Sequence, residues 1–138
     1  MGFWIPSLFL GFQSAFENDG SLPIFFWEAL SVLSALTWAV ERSFPAPRRL
    51  LIFTDNSNTV SMFNSLRATP TYNPILLTAC DLLIRHSTSL RVCHISGKDN
   101  DIADALSRLE NECALAACPT LSINQFLPPR LMMGAKVL

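Results

Sequence analysis

Residues 22–40, LPIFFWEALSVLSALTWAV, constrain this chain more than any other stretch: nineteen residues carry one charge, Glu28. A helix this apolar has to be covered, either by lipid or by the rest of a protein core. Its length suits a membrane span, and Arg42, Arg48 and Arg49 behind it suit a cytoplasmic flank. Against a span, Glu28 costs about 3 kcal/mol inside a bilayer, Ser31, Ser34 and Thr37 dilute the apolar character, and Pro23 shortens the helix. A core helix accommodates the same residues without that cost, with Phe26, Leu30, Leu33 and Val40 as one buried stripe. The sequence therefore predicts a core helix, with a single-span membrane protein as the alternative.

The segments on either side predict what covers it. Residues 2–6 and 10–16 are aromatic-rich runs that read as an antiparallel strand pair, broken at Pro6-Ser7. Residues 17–21 are a loop by composition, with Asp19 as a turn residue. After the helix, Phe44-Pro45-Ala46-Pro47 is a rigid connector. Residues 49–54, RLLIFT, are nearly all apolar, which predicts a strand buried on both faces. A short helix follows over 59–66, with Val60, Phe63 and Leu66 to bury, and Ala68-Thr69-Pro70 ends it. Asn73-Pro74 opens another, faced by Ile75, Leu76, Ala79, Leu82 and Leu83.

Residues 89–95 alternate, with Leu90, Val92 and His94 on one side and Arg91, Cys93 and Ile95 on the other. Gly97 breaks that strand, and Asp99 and Asn100 are good helix N-caps. Ile102, Leu106, Leu109 and Cys113 then recur at helical spacing, in a last helix that stops near Cys118-Pro119. Residues 119–138, with Pro128-Pro129 and little periodicity, read as a tail or connector. The order is that of an α/β domain over residues 1–118.

Composition narrows the setting. The chain of 138 residues is half apolar and 15% charged, enough for one domain with a real core. Its net charge of −1 argues against a bulk electrostatic grip on nucleic acid, though not against a local basic path. Eight of its ten basic residues are arginine, the better fork for phosphate. Cys80, Cys93, Cys113 and Cys118 form no Cys-x-x-Cys pair, and His86 and His94 add no zinc spacing. Reduced thiols in an intracellular protein, cytoplasmic or nuclear, are the expectation. The first residues offer no basic region of a secretion signal, and Pro6 stands where myristoylation needs Ser or Thr.

Three acids stand out by position. Asp104 is in the first turns of the last helix, Glu28 near the start of the apolar helix, and Asp55 directly after the apolar strand. Each has a plain explanation. Acids near a helix N-terminus interact favourably with its dipole, and Asp after a strand serves as a turn or N-cap residue. Ligands in open α/β sheets, however, collect at the carboxyl ends of strands, where Asp55 falls.

The wording around these acids resembles one family. Gly97-x-x-Asn100-x-x-Ala103-Asp104-x-Leu106-Ser107-Arg108, seven matched positions in twelve, resembles the end of the ribonuclease H domain in gypsy-type and DIRS-type retrotransposon reverse transcriptases. Trp27-Glu28-Ala29-Leu30 is similar to the start of that family's first helix, and Thr54-Asp55-Asn56 to the end of its fourth strand. The resemblance covers residues 2–108 and implies a ribonuclease H-like mixed sheet with helices on both faces, five strands in the order 3-2-1-4-5. The family's first strand, with its first catalytic Asp and a Gly-rich turn, has no counterpart in this sequence.

The resemblance implies Glu28, Asp55 and Asp104 as catalytic metal ligands for two Mg²⁺ (or Mn²⁺) ions about 4 Å apart, which hydrolyse RNA in an RNA–DNA hybrid. Loss of the first Asp implies an impaired site. Arg67, Lys98 and Arg108 are candidate phosphate contacts, with solvated surface charge as the plain alternative. The short loop from Gly97 carries no histidine, unlike the cellular enzymes, and His94 reads as packed in its strand. A neighbouring reverse transcriptase domain of the same polyprotein is the implied partner, with Pro128-Pro129-Arg130-Leu131 as the exit from the domain, and no membrane. A non-enzymatic remnant that binds nucleic acid or protein through the same fold is the second expectation.

Overall fold

The computed structural model describes residues 1–15 and 20–132. It is a mixed α/β structure of five helices and two small sheets. The first sheet joins β1 (Gly2–Ile5) to β2 (Leu10–Gln13) antiparallel, with Phe3 opposite Phe12. A single 3₁₀ turn, Pro6–Leu8, closes the connection, with Phe9 in the left-handed region. The second sheet pairs β3 (Arg49–Thr54) parallel with β4 (Ser89–His94), Ile52 opposite Val92. Phe16, at the end of the second expected strand, and residues 17–19 of the expected loop, with Asp19, lie outside the described residues.

Helix α1 (Ile24–Arg42) is the apolar stretch, and Phe26, Leu30, Leu33 and Val40 are all buried as the periodicity predicts. Its polar residues are satisfied locally: the hydroxyls of Ser31, Ser34 and Thr37 donate to carbonyls one turn back, those of Trp27, Leu30 and Leu33. The helix is long and apolar enough to cross a membrane. Here it lies against β1, β3, α2 (Ser57–Ser65) and α3 (Asn73–Arg85), and its core extends through Met62, Ile75, Leu76, Ala79, Leu82 and Val92.

The three-stranded sheet is covered on both faces. On one face Phe3 stacks on Phe12, which meets Trp38 of α1. On the other, Trp4 packs with Ile102 and Leu106 of α4 (Asp101–Ser107). Glycine is required beneath α4: a Cβ on Gly2 would stand 2.5 Å from the Ser107 backbone nitrogen.

Four expectations are corrected. The last helix is two, α4 and α5 (Asn111–Ala117), because Leu109 turns left-handed at φ 61° and ends the first. Leu109 and Cys113 are consequently exposed, while Ala114 and Cys118 fold back onto Leu106. The supposed tail contains a strand, β5 (Ser122–Gln125), parallel to β2. Nothing in Ser-Ile-Asn-Gln announces it; the open edge of β2 recruits it. Strand β3 is not buried on both faces, since Leu51 is 52% and Phe53 54% exposed. Finally, Leu66 and His94 are exposed rather than packed, Leu66 as the left-handed cap that ends α2.

Leu33 is fully buried. Leu33→Ala should therefore lower the unfolding free energy of the detergent-free chain by about 2–5 kcal/mol in urea titration. A loss below about 1 kcal/mol would mean that lipid, not protein, covers this face of α1.

Candidate functional site

Each of the three carboxylates is placed by a different element. The end of β3 is tied down residue by residue. Thr54 is buried and its hydroxyl accepts from the Asn56 amide at 3.3 Å, while the Asn56 side chain caps α2 by accepting from the Thr59 amide at 3.0 Å. Asn56, not Asp55, is thus the N-cap, and Asp55 stays exposed between them. The loop leaving β4 passes beside it: the Ile95 amide donates to the Thr54 carbonyl at 2.9 Å, and a Cβ on Gly97 would lie 3.7 Å from Asp55 Oδ2. That loop leads directly into α4 and Asp104.

Glu28 is not a dipole-complementing acid of the first turn, since that turn of α1 holds none; it lies one turn further in, half-buried. Its carboxyl is pushed above the ordinary glutamate value of 4.5, first by burial and then by the negative charges of Asp55 and Asp104. The Met1 ammonium pulls the other way. That ammonium is itself lowered by burial, Glu28 partly opposing the shift, and donates to the Ser14 carbonyl at 3.0 Å. Asp55 and Asp104 are therefore both near enough to act on the Glu28 carboxyl. Asp104 does lie in the first turn of α4, as the dipole explanation requires.

Among the described residues, no three His, Cys, Asp or Glu side chains stand close enough together to hold a metal ion. Carboxylate oxygens are the right donors for magnesium, and the mutual repulsion at Glu28 is what a cation relieves. The donor chemistry and charge fit; the closure of a coordination shell does not. The basic candidates are scattered. Arg67 and Lys98 are exposed, and Arg108 reaches back to Asp104 at 3.3 Å in an exposed pair of small energetic weight.

One component was not singled out from sequence. Glu28, Ser31, Val32, Ala35 and Ala39 share one face of α1 and floor a groove of about 490 Å³ between β1 and β3. Asp99, Asn100 and Ala103 also line it. The spacing of small residues one turn apart behind Glu28 is the signal that marks this face. The chain matches no protein-family model, no curated protein and no solved structure.

The raised Glu28 carboxyl fixes the sign of a pH effect. Above about 4.5 the folded chain holds a proton that the unfolded chain has released, so stability falls as pH rises through the window up to the folded value. Glu28→Gln should therefore raise the melting temperature at pH 7 relative to the parent. The gain should vanish below the ordinary value of 4.5. Destabilisation at pH 7 that disappears below the ordinary value of 4.5 would show that the carboxylate is held by attractive partners instead.

Proposed function

We propose that this chain is a ribonuclease H-like domain of a retroelement reverse transcriptase, with Glu28, Asp55 and Asp104 as an incomplete metal-binding set for hydrolysis of RNA in RNA–DNA hybrids. One observation supports the reading: of three acids in family-like sequence settings on three separate elements, two act electrostatically on the Glu28 carboxyl. The order of elements, with β3 followed by Asp55 and a later helix carrying Asp104, supports the reading, and β1 and β2 would correspond to the family's second and third strands. The finer fold belongs to the same proposal: a mixed sheet with helices on both faces, lacking its first strand between β1 and β3.

No catalytic step is assigned to the three acids, because they do not form a closed shell. Mg²⁺ or Mn²⁺ is the implied cofactor, and it supplies Lewis acidity and an activated water when bound. Arg67, Lys98 and Arg108, all exposed, are the proposed phosphate contacts, Arg108 sharing its charge with Asp104. A neighbouring polymerase domain is the proposed partner. The absence of a closed shell also favours a second reading, a non-enzymatic remnant that keeps the fold for binding.

Calorimetric titration with Mn²⁺ separates the two. The nuclease reading expects saturable binding, weakened about tenfold or more by Asp55→Asn or Asp104→Asn, since even outer-shell changes cost that much. It also expects little cleavage of hybrid RNA by this chain, because residues that act as one unit fail together. Hybrid binding without saturable Mn²⁺ binding would establish the remnant. Robust cleavage unaffected by Asp55→Asn would place the site elsewhere.

A further inference from the structure

Strands β3 and β4 turn one face to the core and leave the other open. Leu50, Ile52, Leu90 and Val92 pack into the core around α1. Their neighbours Arg49, Leu51 and Phe53 on β3, and Ser89, Arg91 and Cys93 on β4, therefore share the opposite face. Among the described residues, the helices that pack on these strands, α1 and α2, lie on the core side, and α4 rests on β1 and β2. Arg49, Ser89 and Arg91 are exposed, and Leu51 and Phe53 are more than half so.

The parallel register fixes how these side chains adjoin. Arg49 is opposite Ser89, Leu51 opposite Arg91 and Phe53 opposite Cys93. Arg91 is thus the diagonal neighbour of both Phe53 and Arg49, a separation that long side chains bridge. Arg48, also exposed, adjoins them at the start of β3. The ion pairs among the described residues, Arg85 with Asp81 and Arg108 with Asp104, leave these three guanidinium groups without a carboxylate. Asp55 and Asp99 come only after the ends of β3 and β4. A chain of net charge −1 therefore holds uncompensated positive charge on one flat face.

The mixture on that face selects among negatively charged occupants. A bilayer or an acidic protein helix is held by contiguous apolar area, and Leu51 and Phe53 supply little of it. A duplex offers phosphates to the arginines but keeps its bases stacked inside, so the Phe53 ring gains nothing from it. A single strand offers both, an unstacked base for the ring and phosphates for the guanidinium forks. Sheet faces that set an exposed ring among basic side chains serve as stacking platforms in this way.

We infer that the open face of β3 and β4 binds single-stranded nucleic acid, with a base stacked on Phe53 and phosphates on Arg49 and Arg91. The face is short, so contact is limited to a few nucleotides, and stacking tolerates any base. Glu28, Asp55 and Asp104 take no part, so the inference stands or falls separately from the nuclease reading.

The test is fluorescence anisotropy of a labelled oligodeoxythymidylate titrated with the full chain in EDTA, beside the duplex of the same length. EDTA removes divalent ions, so the state of the carboxylate set does not enter the result. Saturable binding of the single strand is expected, weakened about fivefold or more by Phe53→Ala and kept by Phe53→Trp. Phe53→Leu, which retains apolar surface without a ring, should weaken it as Phe53→Ala does, and duplex binding should respond to none of the three. Arg91→Gln should lower the slope of log affinity against log salt by about 0.7. With the parent chain, an oligonucleotide carrying 4-thiothymidine should photo-crosslink to peptides of β3 or β4, which keeps the test decisive where a variant fails to fold. Absence of single-strand binding, or binding indifferent to Phe53→Ala with crosslinks elsewhere, overturns the inference. So does equal binding of a polyglutamate peptide, which would assign the face to an acidic protein.

Discussion

Everything in this structure hangs on α1 as a shared support. The hydrogen bonds of β1 go to β2, and those of β3 go to β4, so among the described residues no ladder fixes one sheet against the other. What relates them is side-chain burial on a single helix: Leu33, Leu36 and Val40 reach the core that α2 and α3 complete, while Trp38 meets Phe12 of the first sheet. Burial is strong but non-directional. It sets how deeply the sheets sit on the helix more firmly than how far apart they stand.

That distinction bears on the carboxylates. Glu28 is carried by the support itself, Asp55 by the end of one sheet, and Asp104 by a helix that rests on the other. The distance of Glu28 from the other two therefore depends on packing, whereas the loop tied to the Thr54 carbonyl links Asp55 to the helix that carries Asp104. The acids are near enough for each to raise the Glu28 carboxyl, yet not gathered into a ligand set. Catalytic groups need placement within a fraction of an ångström, which packing against an open groove does not provide.

Long-period features were legible in the sequence because they carry their own signal. The stripe of Phe26, Leu30, Leu33 and Val40, the Asn73-Pro74 helix start and the paired aromatic strands all rest on periodicity or on proline geometry. What escaped was set by neighbours. Ser122–Gln125 is a strand because β2 has an edge to offer. The periodicity that predicted one C-terminal helix runs straight through Leu109, whose left-handed φ no local motif announces. The apolar run Leu50-Leu51-Ile52-Phe53 predicted burial on two faces, but α1 covers one, and the second cover is missing among the described residues. For the site, the sequence named three acids; the structure displaces the plain explanation for Glu28 and the N-cap explanation for Asp55, which still sits in the bend after β3. It leaves the dipole explanation of Asp104 standing beside the other.

Glu28 weighs most between a scaffold and a site. An alanine or leucine at this position would extend the apolar helix, and a bilayer or a purely structural core would accept either without penalty. The carboxyl instead meets burial and two like charges, so it opposes folding wherever it ionises. The Met1 ammonium offsets part of that, but its own charge is disfavoured by the same burial. Two half-buried groups that each lower the other's cost are a makeshift balance rather than a stabilising pair. A divalent cation beside Glu28 would offset the repulsion from Asp55 and Asp104, while the desolvation of the carboxyl would remain. Of the two acids in α1, Glu28 and Glu41, Glu28 is the one that burial and neighbouring carboxylates make unfavourable in the bare fold.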